Sequence, residues 1–257
     1  MSRKYPLSVS LIARNESKNL QRCLPTLVGW VAEIVVVIND CTDDTEAVAR
    51  QFGAQVIKQK WMGYGAQKNI SLNACTQPWI LCLDCDEVPT PELIQSIQTF
   101  IDNDGNGADG ASFPRLSFFL GRWIRHGDWY PDYAIRLLRR GQGKWVGGQI
   151  HEHLEVATRT TRLSGDLLHY SYPDIEAQLY KTITYTNLFV EHKAQTRTYS
   201  GLSAIFRAMW RFFRGYVLRL GFLDGYPGFY VAAASAFATF YRYSRLYERG
   251  IVKKAQQ

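Results

Sequence analysis

Five consecutive β-branched residues, Ile34-Val-Val-Val-Ile38, constrain this chain more than any other feature. A run with no polar alternation reads as a strand covered on both faces, which requires a layer of other structure on each side. The flanking sequence supplies it. Leu7–Ile12 has strand character, and Asn15 and Ser17 cap a helix whose apolar positions Leu20, Leu24, Leu27 and Val28 recur at helical spacing. Thr42-Asp-Asp-Thr45 opens a second helix that Gly53 ends. Gln55–Lys58 reads as a strand, Ala66–Cys75 as a helix, and Trp79–Leu83 as a third apolar strand. Strands alternating with helices predict an α/β fold, a mostly parallel sheet with helices on both faces. Ligands of such sheets bind at the carboxyl ends of the strands. Asn15-Glu16, Asn39-Asp40 and Asp84-x-Asp86 all fall there.

Past Thr90 the pattern loosens. Pro91–Ile101 reads as a helix, Asp102–Gly110 as a polar loop, and Ala111–Arg115 and Tyr133–Leu138 as strands around an aromatic loop; from Ile175 onward the signal is helical. Charge divides the chain in the same way. Residues 1–112 carry 9 basic and 13 acidic groups, 113–200 carry 12 and 8, and 201–257 carry 9 and 2. A basic, aromatic tail predicts an anionic partner. The five cysteines all lie in the first third and are odd in number, which argues against a disulfide framework and for a reducing compartment. The first residues run into a strand with no long apolar leader, so the chain is expected in the cytoplasm.

Two aspartates one residue apart at the end of a buried strand repel each other unless a cation stands beside them. Hard carboxylate oxygens suit Mg²⁺ or Mn²⁺, which complete their shells with a substrate's phosphates. Asp84-Cys85-Asp86-Glu87-Val88 also fits the D-x-D-x-[TV] pattern of haloacid-dehalogenase-like phosphatases, with Asp84 as nucleophile. Gly165-Asp166, the one candidate for the acidic motif those enzymes need downstream, lacks its second acid. Cys82-x-x-Cys85 has no second ligand pair for zinc, and a strand sends its two thiols to opposite faces. Gly63-Tyr64-Gly65 lacks the third glycine of a dinucleotide fingerprint and reads as a loop.

Taken together, Ser10-Leu-Ile-Ala-Arg-Asn-Glu16, Glu33–Val37 with Thr42-Asp43, Gly65-Ala-Gln-Lys-Asn69 and Leu83-Asp-Cys-Asp-Glu87 resemble the family 2 inverting glycosyltransferases of GT-A fold. Further on, Phe119–Tyr133, Arg136-Leu-Leu-Arg139, His151-Glu152 and Gly165–Tyr170 are similar to the short subgroup that includes bacterial lipopolysaccharide inner-core glycosyltransferases. The resemblance implies a nucleotide-sugar donor, with a UDP-sugar expected, a divalent metal (Mn²⁺ or Mg²⁺), and a lipopolysaccharide or other lipid-linked acceptor. It implies Asn15, Glu16 and Lys68 at the nucleotide, Asp86 on the metal, and Asp84 toward the ribose or the metal's water shell. Many members carry an aspartate directly after the valine-rich strand to pair with uracil. Here that position is Ile38, leaving Asn39 or Asp40 to substitute.

Transfer needs a carboxylate to take the acceptor's proton. Glu152 is the first choice and Asp132 the second, each with a competing reading as a salt bridge to Arg136 or Arg139. His169 is a further metal-ligand candidate, since imidazole suits Mn²⁺. Trp123, Arg125, His126, Trp129 and Tyr130 form the expected acceptor site, because aromatic faces stack on sugars and guanidinium forks grip phosphate or carboxylate.

The expected organisation is a GT-A catalytic domain over 1–174, with 1–90 binding the nucleotide-sugar and 91–174 the acceptor, then a basic helical extension over 175–257. On a helix, Leu202, Ile205, Phe206, Met209, Phe213, Tyr216 and Leu220 share one face and Arg207, Arg211 and Arg214 the opposite one. That pattern suits an anionic membrane surface, and predicts a peripheral enzyme on the inner face of the plasma membrane. Gly225–Tyr241 is uncharged but, at ~25 Å as a helix, falls short of a bilayer's hydrocarbon core. No zinc finger, helix-turn-helix or RNA-binding motif accompanies the basic tail, so nucleic acid is not an expected partner.

Overall fold

In the computed structural model, which describes residues 3–147, 152–193 and 199–255 with the side chains of 192, 193 and 252–255 excepted, the valine-rich run lies in β2 (Val31–Ile38). β2 pairs in parallel with β1 (Tyr5–Ala13) on one side and β3 (Gln55–Lys58) on the other. β1 in turn pairs in parallel with β4 (Trp79–Cys82). Val35, Val36 and Val37 are fully buried, as continuous apolarity requires. The connections are α1 (Ser17–Cys23), α2 (Thr45–Gln51) and α3 (Tyr64–Ala74).

Two helices are shorter than their apolar spacing predicts. Pro25 stops α1, and Leu24–Thr26 form a 3-10 turn that carries Leu27 and Val28 off the helical face. α2 starts at Thr45 because Asp43 is used to hold the loop ahead of it, its Oδ1 accepting from the Thr45 amide at 3.1 Å and its Oδ2 from the Ser17 amide at 3.1 Å. Burial alone would raise the Asp43 carboxyl, but the hydrogen bonds from Thr45 and Ser17 bring it down to about 2.

Beyond β4 come β5 (Glu87–Pro89), α4 (Pro91–Asp102), β6 (Gly110–Phe119), β7 (Arg122–Trp123), β8 (Asp132–Arg139), β9 (Gly143–Val146), β10 (His153–Val156), β11 (Thr160–Arg162) and β12 (Leu167–His169). The sheet runs β3-β2-β1-β4-β8-β6-β12-β5. It is parallel through β4 and antiparallel at β4/β8, β8/β6 and β12/β5. β9 and β10 form a separate antiparallel pair. The short strands after Arg139 are too brief to show a period, which is why the sequence pattern missed them. Thr90 caps α4 by accepting from the Leu93 amide, and its Oγ1 also accepts from the Asp166 amide. Gly165 (φ +91°) is fixed by this contact, since a Cβ there would lie 2.3 Å from the Leu93 nitrogen.

The remaining chain is α5 (Ile175–Lys193), α6 (Gly201–Phe213), a π-turn at Arg214–Leu218, a 3-10 turn at Gly221–Asp224, and α7 (Gly225–Ala255). Contacts divide the chain into two compact units, residues 1–115 with 132–169 and residues 116–131 with 170–257. Residues 116–131, read from sequence with the catalytic domain, therefore belong with the helical tail. In that unit Phe119, Ile124 and Val231 form a core with Trp129, Tyr172 and Tyr230 packed against it. Among the described residues no helix is long and apolar enough to cross a membrane.

Candidate active site

Parallel pairing of β1, β2 and β4 brings their carboxyl ends side by side, and the polar dipeptides that follow them meet there. Asn15 (φ +57°) turns the chain after β1, and its Oδ1 accepts from the Thr42 amide at 2.8 Å. Glu16 donates its amide to Thr45 Oγ1 at 2.8 Å and accepts from Asn19 Nδ2 at 2.7 Å. These bonds lock the loop after β1 to the loop after β2. Asn39 is buried and its Nδ2 has no partner among the described residues, whereas Asp40 (φ +40°) is exposed.

The loop after β4 holds the two aspartates in different environments. Asp84 lies between two cations, with Oδ1 2.9 Å from Lys68 Nζ and Oδ2 2.7 Å from Arg136 Nη2. The same Arg136 nitrogen donates to Glu87 Oε1 at 2.7 Å, and Glu87 Oε2 accepts from the Asp84 amide at 3.0 Å. Burial would raise the Asp84 carboxyl, but Arg136 and Lys68 hold it far below the usual carboxylate range. Much of the positive charge the tandem aspartates call for is thus built into the protein. Arg136, expected as a partner for Glu152 or Asp132, serves Asp84 and Glu87 instead, and Arg139 pairs with Asp104 and Asp109.

Asp86 is turned elsewhere. The register of β12 on β5 places His169 opposite Glu87, and His169 Nε2 lies 3.4 Å from Asp86 Oδ2. A carboxylate and an imidazole, both partly exposed, fit a Mn²⁺ or Mg²⁺ ion that takes its other ligands from water and substrate phosphate. Among the described residues no cluster of three or more such side chains exists to enclose a metal completely.

Lys68 is positioned by α3. Gly63 (φ +97°) precedes the helix, so the Gly63-Tyr64-Gly65 segment serves as a helix entry. Asn69 then exchanges two hydrogen bonds of 2.9 Å with the Trp145 backbone, and Lys68 Nζ lies 4.3 Å from the centre of the Trp145 ring. Lys68 also reaches Glu152 Oε1 at 3.5 Å, which joins Glu152 to the same network. Asp132 instead faces Arg115, whose Nε donates to it at 3.0 Å. His151 lies outside the described residues. Sequence reasoning quoted Glu87 and Asn69 within their motifs but missed their roles, Glu87 as the second anchor of Arg136 and Asn69 as the clamp on Trp145, and it missed Arg115, which stands in no motif.

The expected acceptor residues lie in the second unit and are largely engaged within it. Trp123 packs edge-on against Phe118 and Tyr170, and Trp129 lies tilted against Phe119 and Tyr172. His126 Nδ1 lies 3.1 Å from Asp224, Tyr130 is half-buried, and Arg125 is exposed. All five cysteines are free. Burial pushes the Cys82 thiol up to about 12 and Cys85 well above its ordinary value, so both stay protonated, as a packing role requires.

Burial raises the Glu16 carboxyl, opposed by the hydrogen bond from Asn19 and reinforced by Asp86, Asp43 and Asp84. A carboxyl raised on folding makes the fold less stable as pH climbs from the unfolded value through the folded one. Glu16→Gln is therefore expected to melt higher than the parent at pH 7, the gap closing below about pH 4.5, where the unfolded Glu16 is already protonated. Thermal melts of both proteins across that range check it, and an unchanged or lower melting point at pH 7 would contradict it.

The family model described as "Glycosyl transferase family 2" matches residues 8–158. The lipopolysaccharide core biosynthesis glycosyltransferase LpsC of Rhizobium meliloti (strain 1021) is 28% identical over 270 residues, 97% of this chain and 95% of that protein. A protein of Rickettsia felis described as an uncharacterized glycosyltransferase is 27% identical, covering 94% of this chain and 89% of its own. Among solved structures, S. aureus TarS 1–349 in complex with UDP-GlcNAc has a TM-score of 0.49 at 12% identity, covering 96% of this chain and 92% of that one.

Proposed function

This chain belongs to glycosyl transferase family 2 and is a glycosyltransferase, and on that premise we propose that it moves a sugar from a nucleotide-diphospho-sugar, with inversion, onto a lipid-linked saccharide, of which a lipopolysaccharide inner-core sugar is the favoured case. The reaction takes place at the cytoplasmic face of the plasma membrane. The observation that carries the donor reading is the separation of roles in the Asp84-x-Asp86 pair, one aspartate neutralised by Lys68 and Arg136 and the other set beside His169.

The interlocked loops at Asn15-Glu16 and Asn39-Asp40 receive the nucleoside. Asn39 offers a buried amide nitrogen that lacks a partner among the described residues, a donor for the base edge in place of the acidic side chain absent at Ile38. Lys68 faces the diphosphate, and Asp84 fixes the ammonium group from behind. Asp86 and His169 would hold a divalent cation, which when bound would supply Lewis-acid neutralisation of the leaving diphosphate. Glu152 is the base. Its 3.5 Å contact with Lys68 keeps the carboxylate in the cluster, whereas Asp132 is committed to Arg115. The phosphatase reading is set aside, because the chain belongs to a glycosyltransferase family and both oxygens of Asp84 are ion-paired.

Thermal unfolding with Mn²⁺ and a panel of UDP-, GDP-, ADP- and CMP-sugars tests the donor. A ligand at 100 times its dissociation constant stabilises by ~2.7 kcal/mol, or very roughly 5–10 °C for a chain of this size. The expected result is a metal-dependent shift with the UDP class. Absence of a shift with every nucleotide-sugar would overturn the reading.

A further inference from the structure

The amphipathic helix α6 is inside out. Its apolar face, Leu202, Ile205, Phe206, Met209, Trp210 and Phe213, is 45–68% exposed. On the opposite side Ala204 is fully buried, and Arg211 and Arg214 point inward to Asp128, a carboxylate only 1% exposed. Arg211 Nε lies 2.7 Å from Asp128 Oδ2, and Arg214 Nη2 and Arg219 Nη1 lie 2.6 and 3.3 Å from Oδ1. The third arginine of this face, Arg207, is stacked on Tyr243. A water-soluble helix turns its apolar stripe to the core and its charges to solvent. Here the guanidinium groups hold the helix in the protein, and the hydrophobic stripe is what the protein presents.

The stripe does not end with the helix. The turns that follow expose Val217, Leu218, Leu220, Phe222 and Leu223. Between α6 and α7 a groove of about 600 Å³ is lined without a single polar side chain, and its walls include the exposed Met209, Phe213, Phe237 and Phe240. Apolar surface of this extent marks an interaction site. Gly228 keeps the hairpin tight, since a Cβ there would lie 1.9 Å from the Gly221 oxygen, so the stripe cannot be covered by opening this turn without losing the close approach.

Charge identifies the occupant. Three arginines share the one carboxylate of Asp128, and burial together with the neighbouring Arg214, Arg219 and Arg242 disfavours the charged form of Arg211 despite Asp128. The two acidic residues of 201–257 offer no relief, since Asp224 pairs with His126 and Arg122 and Glu248 with Arg245. Behind the apolar stripe lies, among the described residues, more positive charge than Asp128 neutralises. We propose that α6 and the turns after it insert, apolar stripe first, into the headgroup–hydrocarbon boundary of an anionic phospholipid bilayer. Hydrocarbon covers the stripe and the groove, anionic headgroups balance the arginines, and helices too polar to span the membrane lie in its surface. This deepens the membrane-face reading above. It replaces an electrostatic attachment through Arg207, Arg211 and Arg214 by a hydrophobic one in which Arg211 and Arg214 are internal struts.

The test is co-sedimentation of the full chain with vesicles of phosphatidylcholine alone and of phosphatidylcholine with phosphatidylglycerol, with and without high salt, for the parent and for a Phe206→Ser, Met209→Ser, Phe213→Ser triple variant. These side chains are exposed, so the variant should keep its melting temperature. The parent is expected to bind the anionic vesicles, to retain most of that binding in high salt, and to lose at least about tenfold in affinity in the triple variant. Equal binding by the variant, or complete release of the parent by salt, would overturn insertion while leaving a membrane location standing. No binding to either vesicle would overturn both. A parent dimer in sedimentation equilibrium that the triple variant dissolves, without vesicle binding, would assign the stripe to a second copy of the chain instead.

Discussion

Replacing Arg136 by methionine is expected to cost about 3–5 kcal/mol of stability, the effect of removing one partner from a buried ion-pair network. For a chain of this size that lowers the melting temperature by roughly 6–20 °C. The side chain is 6% exposed and its Nη2 touches both Asp84 and Glu87 at 2.7 Å. Without it Asp84 keeps Lys68, but the fully buried Glu87 is left with the Asp84 amide at 3.0 Å and Arg115 at 3.7 Å. The pH dependence separates this cause from a simple cavity. Asp84 is held far below its ordinary value, so in the parent its contribution is complete above the unfolded carboxylate range and is lost as pH falls from there toward the folded value. In the variant the stranded carboxylate is relieved by protonation, so the gap between the two proteins narrows on acidification. Melts at pH 7 and at about pH 3, below the ordinary Asp84 value of 3.8, check this. A variant as stable as the parent at pH 7 would show that the network carries no stability, and a gap independent of pH would assign the loss to packing.

This network also shows where the sequence was informative and where it was not. The β-branched run, the alternation of strands with helices and the dipeptides at strand ends were legible because each is a local pattern, and β1 to β4 follow from them. Asp84-x-Asp86 was legible as a motif, but not its division of labour. That depends on Arg136 from β8, Lys68 from α3 and His169 from β12, brought together by strand register rather than by spacing. The chain's own cations at Asp84 could not be inferred from a stretch with no lysine nearby in sequence.

The tail gives the converse case. Its amphipathic pattern was plain, with arginines opposite Phe206, Met209 and Phe213, but periodicity gives two faces without saying which faces inward. Asp128 decides the orientation, and it lies in a loop more than eighty residues earlier whose partners no spacing rule links to Arg211 or Arg214. The same loop was read as an acceptor site from its aromatic and basic content. Trp129 is instead packed among Phe119 and Tyr172, and His126 is tied to Asp224, so composition alone did not separate side chains that hold the loop from those that face out.

The second large effect concerns Asp86. Asp86→Asn is expected to lower the transfer rate by about a thousandfold or more, the scale of losing a group that stabilises charge in the transition state, while leaving the melting temperature within a few degrees of the parent. Its ionic contact with His169 spans 3.4 Å, and its charge adds to the crowding that raises Glu16. Removing that charge therefore relieves repulsion and brings Glu16 back toward its ordinary value. Asp84→Asn provides the contrast. It removes a carboxylate that both Lys68 and Arg136 need, so activity and stability should fall together. The discriminating measurement is the Mn²⁺-dependent part of the thermal shift with a UDP-sugar. Asp86→Asn should lose that part and keep any metal-independent shift, since the loops around Asn15 and Asn39 are untouched. An Asp86→Asn enzyme within tenfold of the parent rate, or one that retains the metal-dependent shift, would remove Asp86 from the metal site and move the role to Asp84, whose variant would then show the larger loss of metal response.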